Sequence, residues 1–169
     1  MTTFRIRSAR ADDLPALTDV FRRASLSNDG DQAALLANPD VLVLSGEAVL
    51  AGGTRVAVEP GGGVVGFATS RDVDGVFELD DLFVDPDWMR NGIATLLVHD
   101  IARIGREQAI AGIAVTANPH ALAFYRHAGF RPAGRTRTRF GPAPRMYLDL
   151  TREPATEDGS AGDRRVGDQ

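Results

Sequence analysis

One stretch limits the possible folds more than any other. Residues 76–84 alternate and then turn densely apolar at Leu82-Phe83-Val84, Asp85-Pro86 stops the run, and a long amphipathic pattern opens after Gly92. The run reads as a strand that proline keeps from pairing further. Ile93, Leu96, Leu97, Ile101 and Ile104 recur at spacings of three and four, which predicts a helix from Gly92 to about Glu107. Ile113-Ala114-Val115-Thr116 then reads as a short buried strand.

The flanks add elements of the same two kinds. Phe4, Ile6 and Ser8 alternate with Arg5 and Arg7 as a half-exposed strand. Residues 11–24 read as a helix with Asp12 and Asp13 in its first turn and Arg22 and Arg23 at its end, each sign placed where the helix dipole favours it. Residues 32–37 fit a second short helix, and residues 54–58 and 64–69 a hairpin around a glycine-rich turn. Asn118 can cap a further helix with Pro119 at its first position, and Gly129 can close that helix in a left-handed conformation. Residues 131–139 and 145–150 complete the set as two strands around Gly141-Pro142-Ala143-Pro144. The expectation is one α/β (α+β) domain over residues 1–150, with a mixed, mostly antiparallel central sheet flanked by helices. A chain of 169 residues suits one such core, and the charged, glycine-rich residues 151–169 read as a disordered tail.

Composition removes several chemistries. With no cysteine there is no disulfide, no thiolate metal site and no cysteine nucleophile, and all 19 basic residues are arginine. A chain without lysine has neither a Walker lysine nor a Schiff-base lysine. His99, His120 and His127 are widely spaced, with no i, i+4 pair, so no metal site is expected. Residues 108–148 hold six arginines and no carboxylate, whereas the remaining 13 arginines and 23 carboxylates leave the rest of the chain at −10. Such asymmetry suits an anionic ligand in one part of the domain and a cationic one in another. No signal peptide or spanning segment is legible, so a cytoplasmic location without membrane contact is expected. Nucleic acid is a poor partner for an isoelectric point near 5.3 and a basic run without aromatic interleaving.

The loop between strand and helix carries the chemistry. Backbone N–H groups gather at a helix start that has no capping side chain, and Gly92 with the small Ala94 leaves room for a pyrophosphate to approach them. An ordinary turn between strand and helix is the competing reading. Met89-Arg90-Asn91-Gly92-Ile93-Ala94 resembles the acetyl-CoA motif of the GNAT superfamily of N-acetyltransferases, Gln/Arg-x-x-Gly-x-Gly/Ala opening a helix. Met89 stands where that family usually has glutamine or arginine, which leaves a side-chain contact to phosphate to Arg90 or Asn91. Asn118 and the later Phe124-Tyr125-Arg126-His127-Ala128-Gly129-Phe130 match a second family block, so the resemblance spans residues 3–150 in order.

The resemblance implies acetyl-CoA as co-substrate. Leu82, Phe83, Val84, Met89, Arg90, Asn91, Gly92, Ile93, Ala94, Thr95, Asn118 and Tyr125 would line it, with the amides of Phe83 and Val84 on the acetyl carbonyl and Asn118 at the pantetheine arm. An acceptor ammonium with a pKa near 10.4 must lose a proton before it attacks, so a base is needed. Glu78 lies six residues before Val84, the offset at which histone-modifying members of the family carry their glutamate base. Strand alternation puts Asp80 on the Glu78 face and Asp81 on the other; a solvated strand end is an equal alternative for Glu78 and the plainer reading of Asp80 and Asp81. Tyr125 would donate to the leaving thiolate, leaving Phe124 as the core aromatic. The acidic stretch of Asp72, Asp74, Glu78, Asp80 and Asp81 suits a cationic amine acceptor, a small molecule or a peptide, bounded by the loops around residues 25–38 and 136–144. The rival is a non-catalytic acyl-CoA-binding regulatory or sensor domain, kept open by Met89. A homodimer through the closing strands is a further expectation.

Overall fold

A computed structural model of the chain describes residues 2–27, 29–42 and 44–152. Seven strands form one sheet in the order β1-β2-β3-β4-β5-β7-β6: β1 Arg5–Ser8, β2 Thr54–Val58, β3 Val64–Val73, β4 Val76–Val84, β5 Gly112–Thr116, β6 Arg131–Thr138 and β7 Gly141–Asp149. Every neighbouring pair is antiparallel except β4 and β5. A parallel pair cannot be joined by a hairpin, and the crossover is the predicted amphipathic helix, α4 (Ile93–Glu107). The others are α1 (Leu14–Leu26), α2 (Asp29–Ala37), α3 (Glu47–Leu50) and α5 (Leu122–His127). The tail expected over residues 151–169 lies, from residue 153 on, outside the described residues.

Apolar side chains separate onto the two faces of the sheet. On one face α4 buries Ile93, Leu97, Val98, Ile101 and Ala102 against Phe77, Leu79, Ile113 and Val115, and α5 adds Tyr125 beside Phe130 and Met146. On the other face α1 buries Leu17, Val20 and Phe21 against Val56, Val58 and Phe67. Phe83 joins this second core, with its ring centroid 5.0 Å from that of Phe21 and 5.6 Å from that of Phe67. Removing a leucine-sized side chain from water contributes about 1.5–3 kcal/mol, so the alternation of β4 between the two cores strongly fixes its register.

That alternation breaks once. Thr69 pairs with Asp81 but Ser70 pairs with Leu79, so Asp80 is an extra residue, a β-bulge in β4. Cross-strand partners share a face. Asp81 with Thr69 therefore lies on the α1 face beside Phe83 with Phe67, and Glu78 with Arg71 lies there too. The expectation that Asp80 shares the Glu78 face and Asp81 opposes it is corrected: the inserted residue puts Asp81 with Glu78.

Other departures are local. The chain between α2 and β2 holds a 3-10 turn, Pro39–Leu42, and the single-turn α3, neither of which has an apolar period long enough to read. The turn between the closing strands falls at Arg139-Phe140, and Pro142 and Pro144 lie inside β7. The Pro144 carbonyl accepts from Ala117 N–H at 2.9 Å, so the missing donor of Pro144 points away from β6 and costs that pairing nothing. Arg139 falls outside the strand expected over residues 131–139, since β6 ends at Thr138. It sits beyond β6 with its guanidinium on Asp40 at 2.6 Å and Asn38 at 3.1 Å.

Candidate active site

β4 and β5 pair only over Phe77–Leu79 and Ile113–Val115, although β4 continues to Val84. Past that point the pairing of β4 with β5 ends while Ala117 N–H continues the β7 side by bonding Pro144, and a gap opens between β4 and β5. Residues along a strand turn their N–H and C=O alternately to the two neighbours. Asp85 N–H donates to Val65 on the β3 side at 2.8 Å, so the backbone groups of Asp81 and Phe83 also face β3 and those of Leu82 and Val84 face the gap. The Phe83 carbonyl lies 3.1 Å from where a Cβ on Gly66 of β3 would sit, in keeping with this phase. The amides of Leu82 and Val84 thus have no backbone partner among the described residues, whereas the Phe83 amide, expected with that of Val84 on the acetyl carbonyl, turns to β3.

At the mouth of the gap stands the start of α4. Gly92 is the N-cap at φ +74°, a conformation that penalises any Cβ, and offers no side-chain cap. The first intrahelical bond from this cap runs from Leu96 N–H to Gly92, which leaves the N–H groups of Ile93, Ala94 and Thr95 free at the positive end of a 15-residue helix. Ile93 is buried beneath them, while Ala94 and Thr95 are half-buried. The loop ahead is held from α1: Arg23 pairs with Asp85 at 2.6 Å and Asp87 at 2.8 Å, and Trp88 meets Phe4 edge-on. Asn91 spends its side-chain amide on the carbonyls of Trp88 and Met89 at 2.9 and 3.2 Å. Met89 and Arg90 are exposed, and Arg90, at φ +67°, has no ion-pair partner among the described residues. Of the two residues that could replace the usual glutamine or arginine, Arg90 is therefore the one with its donors available.

Across the gap, the exposed Asn118 caps the turn Pro119–Ala121 by accepting from His120 N–H at 3.0 Å. Gly129 ends the following helix at φ +97°, as its place in the sequence predicts. Tyr125 is only 6% exposed, wedged between Phe124 and Phe130 with ring centroids 5.2 Å from each, and burial pushes its phenol up to about 12. Phe124 is the less buried of the two, the reverse of the expected assignment.

The carboxylates of the acidic stretch are not equivalent. Asp72 closes the β3–β4 turn on Gly75 N–H, and exposed Asp80 is held by Arg71 at 2.8 Å, so the acidic stretch expected to attract a cation comes apart. Glu78 is gripped by both Nη atoms of Arg145, which also donates to Thr116 Oγ1 at 2.9 Å. Asp81 is half-buried and takes a hydrogen bond from Thr69, itself bonded to Thr54 at 3.0 Å, and its desolvation raises its carboxyl above the ordinary range. Neither Arg145 nor Thr116 carries a local signal in sequence, since both reach Glu78 only through strand order. The doubled Asp80-Asp81 in an alternating strand was a readable sign of the bulge. Among the described residues no group of three or more acids and histidines is placed to hold a metal, and no helix is long and apolar enough to cross a membrane.

Solved structures of other proteins share this fold. In Escherichia coli the ribosomal-protein-S18-alanine N-acetyltransferase is 22% identical over 91% of this chain and 98% of its own, with a TM-score of 0.65. The PaiA N-acetyltransferase of Thermoplasma acidophilum, solved with coenzyme A, is 16% identical over 87% and 99%, with a TM-score of 0.68. A GNAT-family acetyltransferase of Staphylococcus aureus Mu50 is 20% identical over 88% and 99%, with a TM-score of 0.67. A comparison with curated proteins returned no match. These structures share the fold. The sequence model of the acetyltransferase (GNAT) family matches residues 18–130, which takes in both the gap and the α4 start. The chain therefore belongs to the acetyltransferase (GNAT) family, whose business is acetyl transfer from an acyl-CoA.

Proposed function

We propose that the protein moves the acetyl group of acetyl-CoA to a primary amine by direct attack in a ternary complex. The observation that carries this reading is the gap in mid-sheet, with the free amides of Leu82 and Val84 on one wall and the free N–H groups of Ile93, Ala94 and Thr95 at its mouth. A pantetheine arm has amides to pair with the first set, and a pyrophosphate suits the second, with Gly92 leaving the approach open and Arg90 adding charge. Asn118 faces the same arm from the β5 side. Bound acetyl-CoA would supply the activated thioester. Because the chain has no cysteine, no thiol is present to carry the acetyl group as an enzyme thioester.

Tyr125 serves as a hydrogen-bond donor to the departing sulfur. A phenol near 12 facing a thiol near 8.5 makes complete proton transfer uphill by about 5 kcal/mol, so donation without transfer is the supported role. Glu78, the base indicated by family resemblance, lies on the acceptor side with its carboxylate tied to Arg145. Asp81 beside it and the half-buried Thr116 and Arg145 shape the surface an amine would meet.

The test is CoA release from acetyl-CoA across a panel of an aliphatic diamine, a lysine peptide and an α-amino dipeptide. Tyr125→Phe is expected to lower kcat by roughly tenfold and to leave the KM for acetyl-CoA within about twofold. An unchanged kcat removes Tyr125 from the reaction. Calorimetric binding of acetyl-CoA without turnover of any amine would favour the sensor reading.

A further inference from the structure

Glu78 has the family offset, but each of its carboxylate oxygens is occupied by an Arg145 nitrogen, and Thr116 holds the same guanidinium in place. A bidentate arginine pair is among the stronger polar contacts in proteins, and taking a proton from an ammonium would require it to open first. The bulge at Asp80 offers an alternative that plain alternation hides. It rotates Asp81 onto the α1 face, one residue before the Leu82 amide that opens to the gap, at the boundary where α1 stops covering the sheet. Asp81 has no arginine partner among the described residues, and its hydrogen bond comes from the neutral Thr69 hydroxyl.

We infer that Asp81, not Glu78, takes the proton from the acceptor ammonium. The inference rests on the transfer reading above. The ammonium gives one proton to an Asp81 oxygen, and the freed nitrogen pair forms the C–N bond to the acetyl carbonyl carbon. The thioester C–S bond is cleaved with its electron pair staying on sulfur, the second nitrogen proton ends on that sulfur, and Asp81 returns its proton to solvent after the amide leaves. Burial of the carboxyl fits the task, because a base acts best when its pKa lies nearer the working pH. The charged groups around it are the adjacent Asp80, which disfavours its ionisation and is held by Arg71, and the Glu78–Arg145 pair on the open side. The Glu78–Arg145 pair then has a positioning role, a fixed floor for the amine.

The experiment compares Asp81→Asn with Glu78→Gln in the full chain, using the same amine panel over a range of pH. Asp81→Asn is expected to lose about 100-fold or more in kcat and to lose the acid limb of kcat/KM, with acetyl-CoA KM within about twofold. Glu78→Gln is expected to turn over more slowly, through the released Arg145, yet to keep the acid limb. A second readout needs no acetyl-CoA: carbon-13 titration of the aspartate carboxyls should place Asp81 above the ordinary aspartate midpoint near 4. Retention of the acid limb in Asp81→Asn, or its loss in Glu78→Gln alone, overturns the inference while leaving the transfer reading intact. An ordinary or lowered Asp81 midpoint overturns it as well. A wild-type chain that binds acetyl-CoA and acetylates no amine on the panel overturns the transfer reading and the role of Asp81 with it.

Discussion

The two faces of the sheet are built to different ends. Among the described residues the apolar cluster under α4 and α5 holds 18 buried residues and runs from β2 to β7, whereas the cluster under α1 holds seven and goes no further than β3, with Phe83 of β4 at its rim. Beyond Phe83 the second face turns polar within one strand, through Asp81, Glu78, Thr116 and Arg145, and α1 does not extend over β5 and β7. A sheet packed on both faces along its whole width would bury more apolar surface and leave no open polar face. Among the described residues the closed face holds most of the buried apolar side chains, and the half-closed face leaves Asp81, Glu78, Thr116 and Arg145 uncovered by α1.

The widest contrast should appear on the closed face. Leu97 is fully buried at the centre of α4, and Leu97→Ala is expected to cost about 2–5 kcal/mol in denaturant unfolding through lost burial and the cavity left behind. A loss below about 1 kcal/mol would deny that face its leading part. A smaller effect is expected on the open face at Gly112, where an added Cβ would lie 2.2 Å from the Tyr147 ring and 2.6 Å from the Leu148 carbonyl. Gly112→Ala should cost about 1–3 kcal/mol as the ring and the strand shift, and the displaced Tyr147 should raise acceptor KM more than acetyl-CoA KM. Equal changes in the two KM values would mean that the open face is not the acceptor side.

The smallest effect concerns the far rim of the α1 face, where Arg7 closes on Asp13 at 2.7 and 3.0 Å. The hydrogen bond from Arg7 holds the Asp13 carboxyl below the usual aspartate range. The unfolded chain therefore binds the proton first as pH falls. The stability from this pair is complete above the unfolded pKa of about 4 and is lost as pH falls through the lower folded value. Melting curves of wild type and Asp13→Asn should differ at neutral pH and converge in acid. Parallel curves would show that the rim owes nothing to the pair.

Most of the closed face was legible in sequence because its signals are redundant. The α4 period, the Asp85-Pro86 stop and the glycine-rich turn fix β2, β4 and α4 independently, and β4 matches its expected bounds at both ends. The open face was harder for physical reasons. Alternation assumes an unbroken pleat, so one inserted residue exchanged the places of Asp80 and Asp81. A helix of six residues is too short for periodicity to decide whether Phe124 or Tyr125 turns inward. Arg145 reaches Glu78 across 67 positions, a contact that exists only once the order β4-β5-β7 is assembled. The helix start at Gly92 was readable because its donors belong to the backbone and need no particular side chain.

The three-residue pairing between β4 and β5 has a mechanical consequence. The sheet is in effect two blades, β1 to β4 and β5 to β6, riveted by three rungs at one end and splayed at the other. In β4 the splay exposes alternate amides. Leu82 and Val84 should exchange their hydrogens with solvent while Asp81 and Phe83 stay protected, a dyad pattern that normally marks the outside of a sheet and here lies at its centre. A ligand seated along that line would act as an eighth strand, so the same occupancy that prepares the reaction would also lock the two blades together.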